Sequence, residues 1–429
     1  MKEYDFDEVI VRRGTGCVKW DESYPSTPFY DTLPSLKHPQ ESLIPLWVAD
    51  MDFAVAPAIE AAIRRRAAHP VFGYTHVGPD YYDAVVSWFS RRHHWEIKRE
   101  EILYTTGVVP AMSVAIKALT MPGEKVLILS PDYNCFFSSI RNNGCEVLES
   151  PLTRAAHLSP TPGESSPTHH FEIDWADFEA KCADAKTTLF LLCNPHNPTG
   201  RVWKREELQR MNDICLRHGV KVVSDEIHCE LVMPGHRFQP FAAVSEECRR
   251  NSVVLNSASK SFNIAGLMTA NIVCADREVR RRLERAININ EVCDLNPFGP
   301  VALIAAYNES GDWIDALCRY LWGNYKALKQ FFNEHLPRCI VNDMEGTYLP
   351  WIDVSAMLPA NIRMAGADAE TVIGNVEQLC DYIMSQTNVW VNPGTMYGPQ
   401  TGQGFIRINI ACPRTQMMEA LTRIARVLR

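Results

Sequence analysis

Continuous apolar runs of strand length recur through the middle of the chain. They are KVLILS (125–130), TTLFLLCN (187–194), VKVVSDEI (220–227), SVVLNSAS (252–259) and ANIVCA (270–275). Runs without polar alternation suit strands buried on both faces, as in a parallel sheet covered by helices. Helical patterns lie between them. REELQRMNDICLRHG sets Leu208, Met211, Ile214 and Cys215 on one stripe, with Gly219 as its stop. Strand and helix in alternation predict an α/β domain.

After about residue 298 the pattern changes. WIDALCRYLWGNYKALKQFFNEHL is helical, TYLPWIDV and GFIRINIA are short strand candidates, and QMMEALTRIARVLR closes the chain as an amphipathic helix. The expected organisation is a large α/β domain over 55–297 and a smaller α+β domain over 298–429. The segment 1–54, rich in Pro, Trp and Tyr, is expected to pack with the smaller domain. The stretch PLTRAAHLSPTPGESSPTHHF (151–171) is dense in Pro, Ser, Thr and His and reads as a surface loop. Its adjacent His169 and His170 are expected to be a solvated pair, not a metal site.

Composition narrows the classes of function. A chain of 429 residues is long enough for two domains, and 46% hydrophobic with 22% charged residues is an ordinary globular balance. The net charge of -8 leaves no basic surplus to neutralise phosphates, so nucleic acid is not an expected partner. No apolar run reaches the length of a membrane span, and MKEYDFDEVIVRRG lacks the apolar region of a signal peptide. The protein is therefore expected in the cytoplasm. Its 14 cysteines are scattered, form no C-x-x-C pair and mostly sit in apolar runs, as buried thiols do.

Three predicted strands end in chemistry-bearing residues. One runs into PHNPTG with Asn197, one carries Asp225, and one leads into SASKSFNIAG with Lys260. Taken singly, each has an ordinary explanation: a turn, a cap, a solvated charge. In open α/β sheets, however, ligands bind at the carboxyl ends of the strands. Together these residues meet the requirements of pyridoxal 5'-phosphate (PLP). The aldehyde needs a lysine amine, the ring nitrogen a carboxylate, and the ring hydroxyl a neutral donor. The phosphate needs amides at a helix N-terminus, which Gly107, Val108 and Val109 of YTTGVVPAMSVAIKAL supply, with Pro110 in the first turn. Ser257 and Ser259 add hydroxyls.

The ordered set NPHNPTG, SDEIH, SASKSFNIAG and FIRINIACP resembles fold type I PLP-dependent enzymes of the class I/II aminotransferase family. PLWVADMDF, FGYT, TTGVVPAM, SPDYNCFF, GRVW and KSFNIAGL are similar to the cystathionine β-lyase branch, the cystalysin-like carbon–sulfur lyases. The resemblance covers essentially the whole chain. It implies the fold type I transferase fold, a mostly parallel central sheet flanked by helices plus a smaller α+β domain. Lys260 would hold the cofactor and move protons, Asp225 would pair with the ring nitrogen, and Asn197 would contact the ring hydroxyl. Tyr133 would stack on the ring, and Arg407 would clamp the substrate carboxylate. The main chain near Ala49 would border that carboxylate. Tyr74 would reach the phosphate of a neighbouring subunit, implying a homodimer with shared active sites.

Two residues depart from the common aminotransferase pattern. His228 stands where a tyrosine often helps to hold the ring hydroxyl, and Met268 where a phosphate-binding arginine is frequent. Tyr74 and the Gly107–Val109 amides then carry more of the phosphate. Leaving-group size is expected to be read by Asn134 and the 151–171 stretch. The expected activity is elimination from L-cystathionine or a related S-substituted cysteine to thiol, pyruvate and ammonia. An aminotransferase on the same scaffold is the alternative. A PLP-bound regulatory protein, a second role known in this branch, is the less favoured reading.

Overall fold

The computed structural model describes residues 4–33, 43–158, 167–363 and 370–428. In chain order its first strands are β1 (Ile44–Pro45), β2 (Ile102–Thr105), β3 (Lys125–Ser130), β4 (Glu146–Pro151), β5 (Thr153–Leu158) and β6 (Pro167–Glu172). There follow β7 (Thr187–Cys193), β8 (Lys221–Asp225), β9 (Ser252–Asn256), β10 (Ala270–Val273) and β11 (Ile340–Val341). The last are β12 (Trp351–Asp353), β13 (Ala360–Arg363), β14 (Glu370–Ile373), β15 (Val389–Trp390), β16 (Asn392–Pro393) and β17 (Phe405–Arg407).

The main sheet has seven strands in the order β2-β10-β9-β8-β7-β3-β4. β10 runs antiparallel to both of its neighbours, and every other pair is parallel. The unbroken apolar runs have a direct cause. Successive strand residues point to opposite faces, so both sets need an apolar partner. In β3, Val126 and Ile128 join one core with the helix Val108–Leu119, while Leu127 and Leu129 join the other with the helix Arg205–Arg217. In β7, Leu189 and Leu191 face the first core, Phe190 and Leu192 the second.

The C-terminal part builds a four-stranded sheet, β11-β12-β17-β16, beside the long helix Gly311–His335. The N-terminal segment is tied to this part. β1 pairs in parallel with β15, and Asn409 Nδ2 donates to the Asp50 carbonyl at 2.6 Å. Asp52, nearly inaccessible, pairs with Arg12 at 2.6 Å and with the fully buried Lys19 at 2.8 Å, and accepts from Trp20 Nε1 at 2.9 Å. These bonds fix Asp50 and Asp52 between the N-terminal residues 12–20 and Asn409. Among the described residues no helix is long and apolar enough to cross a membrane.

The stretch 151–171 corrects the loop expected for it. β5 and β6 pair as an antiparallel hairpin from Thr153↔Glu172 to Leu158↔Pro167; residues 159–166 lie outside the described residues. Thr168 is buried and donates to the Val341 carbonyl at 3.1 Å and to Asp343 at 3.0 Å. His169 is buried 3.1 Å from Asp353, whereas His170 lies 3.8 Å from Glu345. Strand alternation sends the two rings to different carboxylates, so they are not a solvated pair. The polar composition of the stretch concealed THHFE, a strand whose Thr168 and His169 are buried against residues 341–353.

Candidate active site

Asp225 is the last residue of β8 and is buried. Its Oδ1 accepts from the Ile227 N–H at 3.1 Å. Burial pushes the carboxyl up to about 7, against the opposing pull of the Lys260 amine. Lys260 follows β9, and its Nζ donates to the Ala49 carbonyl at 2.6 Å. Burial draws this amine down to about 8, with the Asp50 charge opposing and the Arg407 charge assisting. The Ala49 carbonyl also accepts from the Tyr348 hydroxyl at 2.9 Å.

The loop that carries Lys260 is clamped by Asn263. At φ 56 this residue occupies the left-handed region, which Asn tolerates better than most side chains. Its Oδ1 accepts from the Met51 N–H at 3.0 Å, and its Nδ2 donates to the carbonyls of Met51 and Phe53 at 3.0 and 2.9 Å. The lysine loop and the Ala49 segment are thus one unit.

Asn197 follows β7, buried, and its Oδ1 accepts from Arg407 Nη1 at 3.2 Å. Arg407 ends β17, also buried; its Nη2 donates to the Trp47 carbonyl at 3.0 Å and its guanidinium lies 4.5 Å from the Tyr397 ring centre. Tyr133 caps the helix Asn134–Asn142, and burial raises its hydroxyl well above the usual range. His228 is buried, and burial pulls its imidazole down to about 3, with Lys260 and Arg407 adding to the effect.

At the other end of the site, Gly107 caps the helix Val108–Leu119. The first amides of a helix have no partner within it, and a Cβ on Gly107 would meet Pro110 Cδ at 3.3 Å. The Ser257 hydroxyl donates to the Thr269 carbonyl at 2.6 Å, and its Oγ accepts from the Ser259 N–H at 3.0 Å. Ser257 therefore holds the lysine loop, and the two hydroxyls lie 2.6 Å apart. Met268, half-exposed at φ 52, leaves only its main chain engaged, through the Tyr104 hydroxyl at 3.0 Å.

Direct bonds thus join Lys260 to Ala49 and Asn197 to Arg407, and Asp225, His228 and Tyr133 lie within electrostatic reach of this group. Tyr74 is not brought in: it is fully exposed in the irregular stretch before the helix Pro79–His93. Trp47, Tyr348, Tyr397 and Asn263 went unread in the sequence, although Trp47 lies in PLWVADMDF and Asn263 in SASKSFNIAG. Their contributions run through main-chain carbonyls and packing, for which residue type gives little signal.

A buried carboxyl, an amine whose pKa burial lowers and a fork of guanidinium nitrogens come together at one sheet edge. A family model described as "Aminotransferase class I and II" matches residues 41–424, and the chain belongs to that family. It is 37% identical over 424 residues to cystathionine beta-lyase PatB of Bacillus subtilis (strain 168), spanning 99% of this chain and 100% of that one. Protein MalY of Escherichia coli (strain K12) is 32% identical over 428 residues, 99% of each chain. The structure of cystalysin from Treponema denticola, which contains a PLP cofactor, superposes with a TM-score of 0.86 at 30% identity. That match covers 100% of this chain and 99% of the other. The architecture is the fold of these PLP-dependent enzymes.

The residues fit such a cofactor. Burial raises the Asp225 carboxyl, and a protonated ring nitrogen beside it would supply the cation that favours its ionised form. Buried polar atoms without partners include His228 Nδ1, Arg407 Nε and Thr105 Oγ1 at the end of β2. Each is a hydrogen-bonding group that a bound cofactor or substrate could satisfy.

Proposed function

We propose that this protein is a PLP-dependent carbon–sulfur β-lyase acting on L-cystathionine or a related S-substituted cysteine. The observation that carries the reading is the single constellation of Lys260, Asp225, Asn197 and Arg407 at one sheet edge. Full-length similarity to PatB and cystalysin supports the lyase branch. In this reading Lys260, Asp225, Asn197 and His228 hold the cofactor's ring end. Tyr133 lies on the ring face, and Gly107, Val108, Val109 and Ser259 hold the phosphate, with Ser257 bracing Ser259. PLP supplies an aldehyde that condenses with amines and a protonated ring that takes up an electron pair from Cα.

The chain's own residues do the rest. Arg407 binds the substrate carboxylate, held in position by Asn197 and the Trp47 carbonyl. Lys260, whose amine burial draws down towards the working pH, acts in its neutral form to remove the Cα proton; the sulfur leaves from Cβ, and Lys260 returns a proton to it. One positioned group acting as base and then acid contributes about 10²–10⁴-fold. The remaining three-carbon fragment is hydrolysed to pyruvate and ammonia. The Ala49 carbonyl takes up the ammonium form of Lys260 between these transfers.

We further read the chain as a cytoplasmic homodimer, organised as an N-terminal segment (1–54), a large domain (55–297) and a small domain (298–429). Tyr74 lies beside Val71 and Phe72, large apolar side chains that are exposed in the single chain. A second copy covering them would carry Tyr74 to its phosphate.

Purified holoenzyme with cystathionine should release pyruvate and thiol with no keto acid added. Absence of pyruvate across several cysteine thioethers rejects the reading. The matched family model favours amino transfer as the second reading, and turnover strictly dependent on an added keto acid would establish it.

A further inference from the structure

Asp132 is completely buried two residues beyond β3, and the chemistry above makes no use of it. Its Oδ1 accepts from the Tyr133 N–H at 2.7 Å, and its own N–H donates to the Tyr397 carbonyl at 2.6 Å. It therefore joins the residue on the cofactor's ring face to the residue beneath Arg407. Its Oδ2 is buried with no hydrogen-bond partner.

The groups facing Asp132 come from every neighbouring strand end. His196 has Nε2 3.8 Å from Asp132 Oδ1, but it donates to the Leu129 carbonyl at 3.2 Å and accepts from Thr199 through Nδ1 at 2.8 Å. Burial holds that imidazole neutral, down to about 3, so it offers no positive charge. Asp225 from β8 and Glu149 from β4 add negative charge, and the Cys193 thiol of β7 lies within reach of both Asp132 and Asp225. Tyr133 contributes its amide. Burial raises the Asp132 carboxyl well above the usual range; the Tyr133 and Leu129 amides oppose it, and the Asp225 and Glu149 charges add to it.

We propose that Asp132 is a positioning residue of the cofactor site that stays protonated beside Asp225, so the pair carries one negative charge, the one that faces the ring nitrogen. An ionised Asp132 would bury a second carboxylate with one oxygen unpaired and no cation in contact, the costly arrangement for a buried charge. Two carboxyls in one buried site lose their protons in separate steps. Ionisation of Asp132 at alkaline pH places a further charge next to Asp225 and tightens the hold on the ring proton. Ionisation of Asp132 thus registers as an alkaline step in the cofactor's absorbance, while Asp132 also anchors Tyr133.

The proposal rests on the cofactor reading, and the test separates the two. Wild-type holoenzyme is labelled with carboxyl-13C aspartate and followed by infrared and visible absorbance through an alkaline titration. The expected result is an isotope-shifted protonated-carboxyl band at neutral pH, lost on alkalinisation together with a step in cofactor absorbance. In Asp132→Asn both the band and the step are gone. A wild-type holoenzyme without the band overturns the proposal with no variant needed. So does a band, or a step, that persists in Asp132→Asn. A wild-type protein that takes up no PLP instead rejects the cofactor reading itself.

Discussion

Arg407 and Asn197, 210 residues apart in the chain, meet across 3.2 Å, with the guanidinium donating to the amide oxygen. Because the Asn197 oxygen is committed to Arg407, its amide nitrogen is left free to donate, in the proposed reading to the ring hydroxyl. In that reading one bond orients both the carboxylate clamp and the ring contact. Arg407→Lys keeps the charge but loses the planar fork. We expect kcat/KM for cystathionine to fall by about 10–100-fold, the cost of one or two charge-assisted hydrogen bonds. Cofactor absorbance should be retained, and steady-state kinetics beside a visible spectrum check both.

Lys260→Ala should abolish covalent attachment of PLP to the protein and lower pyruvate release by at least about 10²–10⁴-fold, the usual worth of a positioned acid–base group. Borohydride trapping followed by peptide mass mapping tests the first, and a coupled pyruvate assay the second. Turnover retained in this variant would overturn the assignment of Lys260.

The same lysine predicts a pH dependence in the apoprotein. Its native value of about 8 lies below its ordinary 10.5, so between these limits the unfolded chain binds a proton that the native chain does not. Stability therefore rises with pH across this window, by up to about 1.4 kcal/mol per unit from this group, and the gain is complete above it. Lys260→Met removes this slope. Urea unfolding of both apoproteins from pH 7 to 11 should show the difference between them growing smaller as pH rises.

The strand ends were legible because burial on both faces leaves uninterrupted apolar runs, and a polar residue terminating such a run stands out. Asn197, Asp225 and Lys260 were found in this way. The hairpin at 153–172 was not, since Thr168 and His169 are buried on polar partners contributed from residues 341–353. Asp132 escaped for a related reason: what distinguishes it is an unpaired oxygen, visible only once its neighbours are in position. Trp47 acts through its carbonyl, which no residue type announces, and the Ala49 main chain was expected only from the family resemblance.

If Tyr74 serves the partner's site, Tyr74→Ala and Lys260→Ala should complement each other. A mixed dimer holds one site with an intact Lys260 and the partner's intact Tyr74. Co-refolding or subunit exchange of the two weakly active variants should then restore activity, up to one working site per mixed dimer. Sedimentation velocity should report a dimer throughout. No recovery in verified mixed dimers would mean that Tyr74 does not act across an interface.

The turn that carries Asn197 is secured from outside the main sheet. Glu345 Oε2 accepts from the Val202 N–H at 2.7 Å and lies 3.2 Å from Arg201 Nε, with both side chains almost inaccessible. The N–H groups of Glu345 and Gly346 both donate to the Gly200 carbonyl at 2.9 Å. Breaking a buried pair by removing one partner costs about 3–5 kcal/mol, because the remaining charge stays buried. Here Glu207 still holds Arg201 at 2.8 Å, so Glu345→Ala should cost less, about 2–3 kcal/mol, in urea unfolding of the holoenzyme. Glu345→Gln, which preserves an acceptor for Val202, should lose about half as much. PLP should also dissociate faster from Glu345→Ala, since Asn197 sits on the loosened turn. Stability lost with cofactor retention unchanged would show that Glu345 supports the fold without positioning Asn197.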